Sequence, residues 1–169
     1  MNETDYMHLP RLRLEHPNGR GSGSALLMFL VPATACEAGH IRIEIADQKG
    51  KTRFDWANAL AADLGWHDCA KLLSVLMGCT EETADDRWNK SRILVKNERD
   101  GTVRRVNLRH ALDPDPGYVL SVADLGSDNE ALQQRVIRLT PTEGIGIEGA
   151  IRGGLHTVAF GVPILREVR

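Results

Sequence analysis

The stretch from Ala131 to Val158 constrains this chain more than any other, because it reads as a strand running directly into a helix. Val136, Ile137 and Leu139 are strand formers set beside the polar Gln133, Gln134, Arg135 and Arg138. Thr140-Pro141-Thr142-Glu143 follows. A threonine at the N-cap offers its hydroxyl to amides that the first turn leaves without partners. A proline at the first helical position gives up an amide that has no partner to lose, and a glutamate at the third reaches back to the cap's own amide. The helix so started is rich in glycine: Gly144, Gly146, Gly149, Gly153 and Gly154 each cost roughly 1 kcal/mol against alanine in a helix interior. Gly146, Ala150 and Gly154 share one face, beside an apolar stripe of Ile147, Ile151, Leu155 and Val158. A stripe without side chains lets another backbone come close. The spacing therefore predicts a packing face, within the protomer or near the axis of a homo-oligomer.

The same glycines spell G-x-G-x-x-G, the dinucleotide-binding fingerprint. That motif needs its glycines directly after a strand and an acidic residue about 20 residues further on. Here the capping box intervenes, and Glu167 is the only acidic residue beyond the helix. No cofactor is expected.

With 169 residues, 42% of them hydrophobic and 26% charged, the chain has the make-up of one ordinary globular domain. No apolar run approaches the roughly 20 residues that a membrane-spanning helix needs. The start, with Glu3 and Asp5, lacks the apolar core of a secretion signal. Cys36, Cys69 and Cys79 are odd in number and irregularly spaced, as expected of reduced thiols in a cytoplasmic protein rather than of disulfides or a zinc site. The histidines are scattered. His67-Asp68-Cys69 are neighbours whose side chains diverge on a helix, and the acidic Glu81, Glu82, Asp85 and Asp86 read as a solvated loop. With no nucleophile elbow, P-loop or metal-ligand cluster, an enzyme is not expected.

The net charge of −2 conceals an uneven distribution. From Arg87 to His110, eight basic residues stand against Glu98 and Asp100. Strand patterns surround this stretch. Ser24–Pro32 is a short apolar run, and His40–Asp47 alternates Ile41, Ile43 and Ile45 with Arg42 and Glu44. Thr52–Ala62 reads as one or two further strands, and Asp63–Gly78 as a helix with Trp66, Cys69, Ala70, Leu73, Leu76 and Met77 at helical spacing, closed by Gly78. Arg92–Glu98 and Thr102–His110 pair through the Asp100-Gly101 turn. Ile93, Val95, Val106 and Leu108 would face inward, and Lys96, Arg105, Asn107 and Arg109 outward. Tyr118–Asp124 and Ala131–Leu139 complete the strands. Residues 1–23, broken by Pro10, Pro17 and three glycines and carrying Arg11, Arg13 and Arg20, read as a flexible basic arm. Residues 24–162 form the domain and 163–169 a tail. Strands joined by short turns, with a helix after each group, predict an α+β fold of two antiparallel four-stranded sheets, each followed by a helix.

Several segments, in order, resemble the Whirly family. Arg53-Phe54-Asp55-Trp56 is similar to that family's aromatic-Asp-Trp element, and it likewise leads through a strand into a helix ending in leucines and glycine, here LLSVLMG. DGTVRRVNLRHAL, GYVLSVADLG and VIRLTPTEGIGIEGAIRGGLHTVAFG resemble the family's last strands and final helix. The resemblance covers roughly Ser24 to Gly161. It implies a single-stranded-DNA-binding, transcription-regulating fold whose helices form the heart of a homo-oligomer, a dimer or tetramer, with RNA the ligand in one branch. This chain departs from the family at its first strand, where Gly21-Ser22-Gly23-Ser24-Ala25-Leu26 stands in place of a lysine-bearing KGKAAL-type segment.

A sequence-tolerant single-strand binder needs cations that track phosphates and flat rings on which bases stack. Residues of both kinds lie near one another in the chain. Arg53, Phe54, Trp56, Trp88, Lys90, Arg92, Lys96, Arg104, Arg105, Arg109 and Tyr118 are the expected nucleic-acid contacts, and Gly146, Ala150 and Gly154 the expected oligomer contacts. Phe54 and Trp56 read equally well as core, and Tyr118 as the closure of a sheet edge. A module that keeps the fold for protein interaction or assembly is the alternative function.

Overall fold

The alternation at Ile41, Ile43 and Ile45 sets the first sheet. In the computed structural model, which describes residues 11–33, 38–83, 93–96, 102–112, 115–127 and 130–160, all three isoleucines are buried while Arg42 and Glu44 point the other way. They belong to β3 (His40–Lys49), which pairs antiparallel with β2 (Ser24–Val31) and β5 (Leu60–Leu64). The two-residue β4 (Arg53–Phe54) pairs with the far end of β3, and a 3-10 turn, Trp56–Asn58, links it to β5.

The outer edge of this sheet differs from the sequence reading. Arg11–His16, expected within a flexible arm, is strand β1, paired antiparallel with β2. Its period of two is the reason: Leu12 and Leu14 pack against the core, and Arg11, Arg13 and Glu15 face solvent. The first sheet therefore has five strands, counting β4. Residues 1–10 and 161–169, the start of the arm and the whole of the tail, lie outside the described residues.

The second sheet has the four strands expected, β6 (Ile93–Lys96), β7 (Val103–Ala111), β8 (Gly117–Leu125) and β9 (Ala131–Leu139), all antiparallel in chain order. Helix α1 (Trp66–Leu76) follows the first sheet and α2 (Pro141–Phe160) the second. The sheets meet along β3–β9 and β5–β8, and the helices pack on each other and on both sheets. One apolar core results, from Leu26, Ile43 and Leu64 through Leu72 and Val75 to Val106, Leu108, Ile137 and Ile151. The architecture is α+β, with an antiparallel sheet before each helix.

Helix α1 is shorter than the pattern suggested, because Asp63 belongs to β5. Its inward row is Cys69, Leu72, Leu73, Val75 and Leu76, whereas Trp66 and Met77 are each 52% exposed. Burial, with the charge of Asp68 beside it, pushes the Cys69 thiol up to about 12. Gly78 ends the helix at φ +72, and the amides of Gly78 and Cys79 return to the carbonyls of Val75 and Ser74, the hydrogen bonds of a Schellman motif.

The capping box of α2 forms as written. The Thr140 amide donates to Glu143 Oε2 at 2.8 Å, and the Glu143 amide to Thr140 Oγ1 at 3.3 Å. Glu143 Oε1 also holds His16, 2.6 Å away at the end of β1. The inward row is Gly144, Ile147, Ile151, Gly154 and Val158. Gly154 packs on the side chains of Ile41 and Leu30, while Gly146 and Ala150 are exposed. Gly144 is the glycine that the fold requires, since a methyl group there would overlap the Tyr118 ring.

Gly144→Ala should therefore destabilise the protein by about 1–3 kcal/mol. Gly149→Ala, whose methyl meets nothing within 4 Å, should stabilise it by roughly 0.5–1 kcal/mol. Urea unfolding of the two variants beside the wild type checks both. A second expectation concerns acid. Partial burial pushes the Glu143 pKa up, but hydrogen bonds from the Thr140 amide, His16 and the Thr140 hydroxyl outweigh it and leave it lowered. A carboxylate depressed on folding adds stability above its unfolded value, about 4.3, and that contribution is lost as pH falls through the folded value. The stability gap between wild type and Glu143→Gln, followed by thermal melts, should be full above about pH 5 and close in stronger acid.

Candidate nucleic-acid interface

Because both inner faces are consumed by the core, the outer faces of the sheets carry the remaining side chains. On the first sheet, strand register sets Arg11 opposite Phe29 and Arg13 opposite Leu27, with Arg42 and Glu44 on the next strand. The Arg11 guanidinium lies 6.0 Å from the centre of the Phe29 ring. The chain turns after β4 and brings Trp56 over this face, where its ring sits 5.4 Å from the Arg13 guanidinium and 6.5 Å from the Phe54 ring. Cations over the faces of rings are held by the ring quadrupole, and such pairs keep both groups at the surface. Arg13 also pairs with Glu15.

Arg42, by contrast, is committed. It donates from Nε to Glu44 at 2.8 Å and from Nη1 to Asp63 at 3.1 Å. Burial works against its charge, but the two carboxylates outweigh that and raise its pKa further.

On the second sheet, Lys96 and Arg109 are exposed and Arg105 is half-buried, all on the outward side, and none of the three makes an ion pair with a described residue. Asn107 beside them accepts from the Thr83 hydroxyl at 2.9 Å. Leu94, 51% exposed, and Val136, 43% exposed, share the face. It carries cations without rings among the described residues, whereas the first face carries both.

Two of the expected contacts lie on the inward side of their strands. Arg104 shares its side of β7 with the buried Val106 and Leu108. Its Nε donates to Asp124 Oδ1 and its Nη1 to the Ala61 carbonyl of the first sheet, both at 2.7 Å, so it clasps the sheets together. Tyr118 shares its side of β8 with Leu120 and Val122. Its ring lies 5.0 Å from that of His110 and against Gly144, and its hydroxyl donates to the Leu76 carbonyl. Phe54 and Trp56 do come together, joined by Arg13, with the Arg11–Phe29 pair beside them on β1 and β2, which the sequence reading had assigned to an arm and to a plain apolar run; Arg53, exposed, takes the opposite parity on β4, across from Lys49. The alternation Arg-Leu-Arg-Leu-Glu was the available signal for β1. Trp88, Lys90 and Arg92 lie outside the described residues.

No protein-family model matches the sequence, and no curated protein is significantly similar to it. Solved structures are similar in fold. WHY1 from Arabidopsis thaliana aligns with a TM-score of 0.64 over 89% of this chain and 88% of that one, at 14% identity. The plant transcriptional regulator PBF-2 aligns at 0.59 over 88% and 84%, with 13% identity. A guide-RNA-binding protein, solved in a complex bound to guide RNA, aligns at 0.59 over 92% and 95%, with 12% identity. The chain has the Whirly fold. Within it, Arg104 ties the two sheets together and Tyr118 ties the second sheet to α1, and the ring-and-cation face of the first sheet is the candidate binding surface.

The two neighbouring arginines of β7 should separate in a stability assay. Arg104→Ala strands Asp124 and the Ala61 carbonyl and should cost about 2 kcal/mol in urea unfolding. Arg105→Ala on the outer face should stay within about 0.5 kcal/mol of the wild type.

Proposed function

We propose that this Whirly-fold protein binds single-stranded nucleic acid without strong sequence preference, with DNA as the first candidate, in regulating transcription or in replication or repair. The observation that carries the reading is the first sheet's outer face, where Arg13 over Trp56 and Arg11 over Phe29 put phosphate-tracking charge directly beside stacking surfaces, with Phe54 adjoining. Each stacked base contributes about 1–3 kcal/mol, and the cations add an attraction that weakens with salt. Lys96, Arg105 and Arg109 extend the charge onto the second sheet.

The same fold in a transcriptional regulator and in a guide-RNA-binding protein supports nucleic acid as the ligand class, the second favouring RNA as the alternative ligand. The reading includes self-association. Gly146, Gly149, Ala150 and Gly153 leave the α2 backbone uncovered in the protomer, next to Ile145, which is 68% exposed, and a second copy packed there would bury that face. A protein-interaction module that keeps the fold without nucleic acid is the rival. The net charge of −2 and the exposed Leu94 and Val136 favour it.

Fluorescence anisotropy with oligo-dT, the matching RNA and duplex DNA at two salt concentrations decides between them. The expected outcome is binding of single strands over duplex, weakened as salt rises, and reduced on the order of tenfold by Trp56→Ala. Absence of binding to every single strand at low salt would leave the assembly module standing. Solution mass measurement of the same sample reads the oligomeric state.

A further inference from the structure

Two turns at one end of the first sheet are sewn together by a single side chain. Gln48 is buried at the end of β3. Its Oε1 accepts from the amides of Asn18, at 2.9 Å, and Gly23, at 2.8 Å, in the β1–β2 turn. Its Nε2 donates to the carbonyls of Gly50 and Lys51, both at 2.8 Å, and to that of Asn18 at 3.1 Å. The β1–β2 turn is ordered further by Asn18 Oδ1, which accepts from the amides of Arg20 and Ser22. Gly21 and Gly50 take the left-handed backbone, at φ +73 and +81, that lets the two turns lie against each other.

This double turn displays Arg20, Lys49 and Lys51, with Arg53 opening the strand that follows. Arg20, Lys51 and Arg53 are exposed and make no ion pair with any described residue. The Lys49 side chain is 74% exposed and comes no closer than 3.8 Å to Asp55. Of the nearby carboxylates, Asp47 is engaged by Arg135 at 2.9 Å and Asp55 accepts from Asn58 at 2.9 Å. The residues of the two turns themselves, 17–23 and 49–52, are polar, glycine or proline, which argues for a phosphate ligand rather than a lipid surface. The patch also adjoins the rings along the β3–β4 ribbon, where Arg53 pairs with Lys49 and the next pair is Phe54 with Gln48.

We propose that the double turn is a phosphate clamp for the nucleic-acid strand whose bases stack on Phe54 and Trp56, an inference that rests on the single-strand-binding reading. Positive charge then brackets the rings, with Arg11 and Arg13 at one end and Arg20, Lys49 and Lys51 at the other. The hydrogen-bonded backbone beneath the lysines is ordered before binding, so only their side chains lose freedom when a phosphate is held.

The test uses the full chain with Arg20→Ala, Lys49→Ala and Lys51→Ala combined, and oligo-dT of two lengths. The variant should melt like the wild type, since all three side chains are exposed. Quenching of tryptophan fluorescence by a strand of roughly 4 nucleotides should persist, because stacking is untouched. Binding of a strand of roughly 12 nucleotides should weaken on the order of tenfold at low salt. The slope of log affinity against log salt should become shallower by about 2, given roughly 0.7 per phosphate contact on a single strand. Lys49→Arg with Lys51→Arg should bind like the wild type, which separates charge from folding. Equal affinity and equal salt slope in wild type and triple variant would overturn the clamp while leaving single-strand binding intact. A wild type that binds no single strand removes the functional reading and the clamp with it.

Discussion

Everything in this fold depends on hiding the inner faces of two sheets at once. Ile41, Ile43 and Ile45 on one sheet and Val106, Leu108, Leu120 and Ile137 on the other are buried under two helices, and apolar burial is the dominant driving force for folding. Neither helix covers its sheet alone, since α2 reaches both sheets and α1 packs on α2. The outer faces are therefore released from the demands of folding. Arg105 and Trp56 are free to be chosen for a ligand in a way that Val106 and Leu60 are not.

Parity along a strand enforces that division residue by residue. Arg104 and Arg105 are chemically identical neighbours, yet one clasps Asp124 and the Ala61 carbonyl and the other meets solvent. A charge at the end of an inward row is tolerable only with its hydrogen bonds satisfied, and Arg104 meets that condition by reaching across to the other sheet. Gln48 solves a comparable problem with a neutral amide, meeting backbone groups of two turns from a buried position.

Much of this was legible in the amino-acid sequence where one local rule acts alone. The isoleucine alternation of β3, the Thr140–Glu143 box and the inward Ile93, Val106 and Leu108 all follow from periodicity or capping chemistry. Strand β1 was obscured by Pro10, Pro17 and the glycines around it, which read as linker although Leu12 and Leu14 alternate correctly. Arg104 and Tyr118 were hidden for another reason. Their parity with Val106 and Leu120 marks them as inward, but polar tips at the ends of inward rows resemble surface residues. For α2, helical spacing offered two adjacent stripes, and the seats of Gly144 on Tyr118 and of Gly154 on Ile41 and Leu30 show which side faces in. The pairing of Arg13 with Trp56 joins residues 43 positions apart and has no local signal.

The two described cysteines have a further consequence. Cys79 lies exposed just past the end of α1, whereas Cys69 is fully buried in it, with its thiol pushed up to about 12. A thiol reacts as its thiolate, so Cys69 stays inert while α1 is seated and gains reactivity only when the helix lifts from the core. The chain thus carries its own chemical clock for core opening, with Cys79 as the reference hand that runs whether or not the helix is in place.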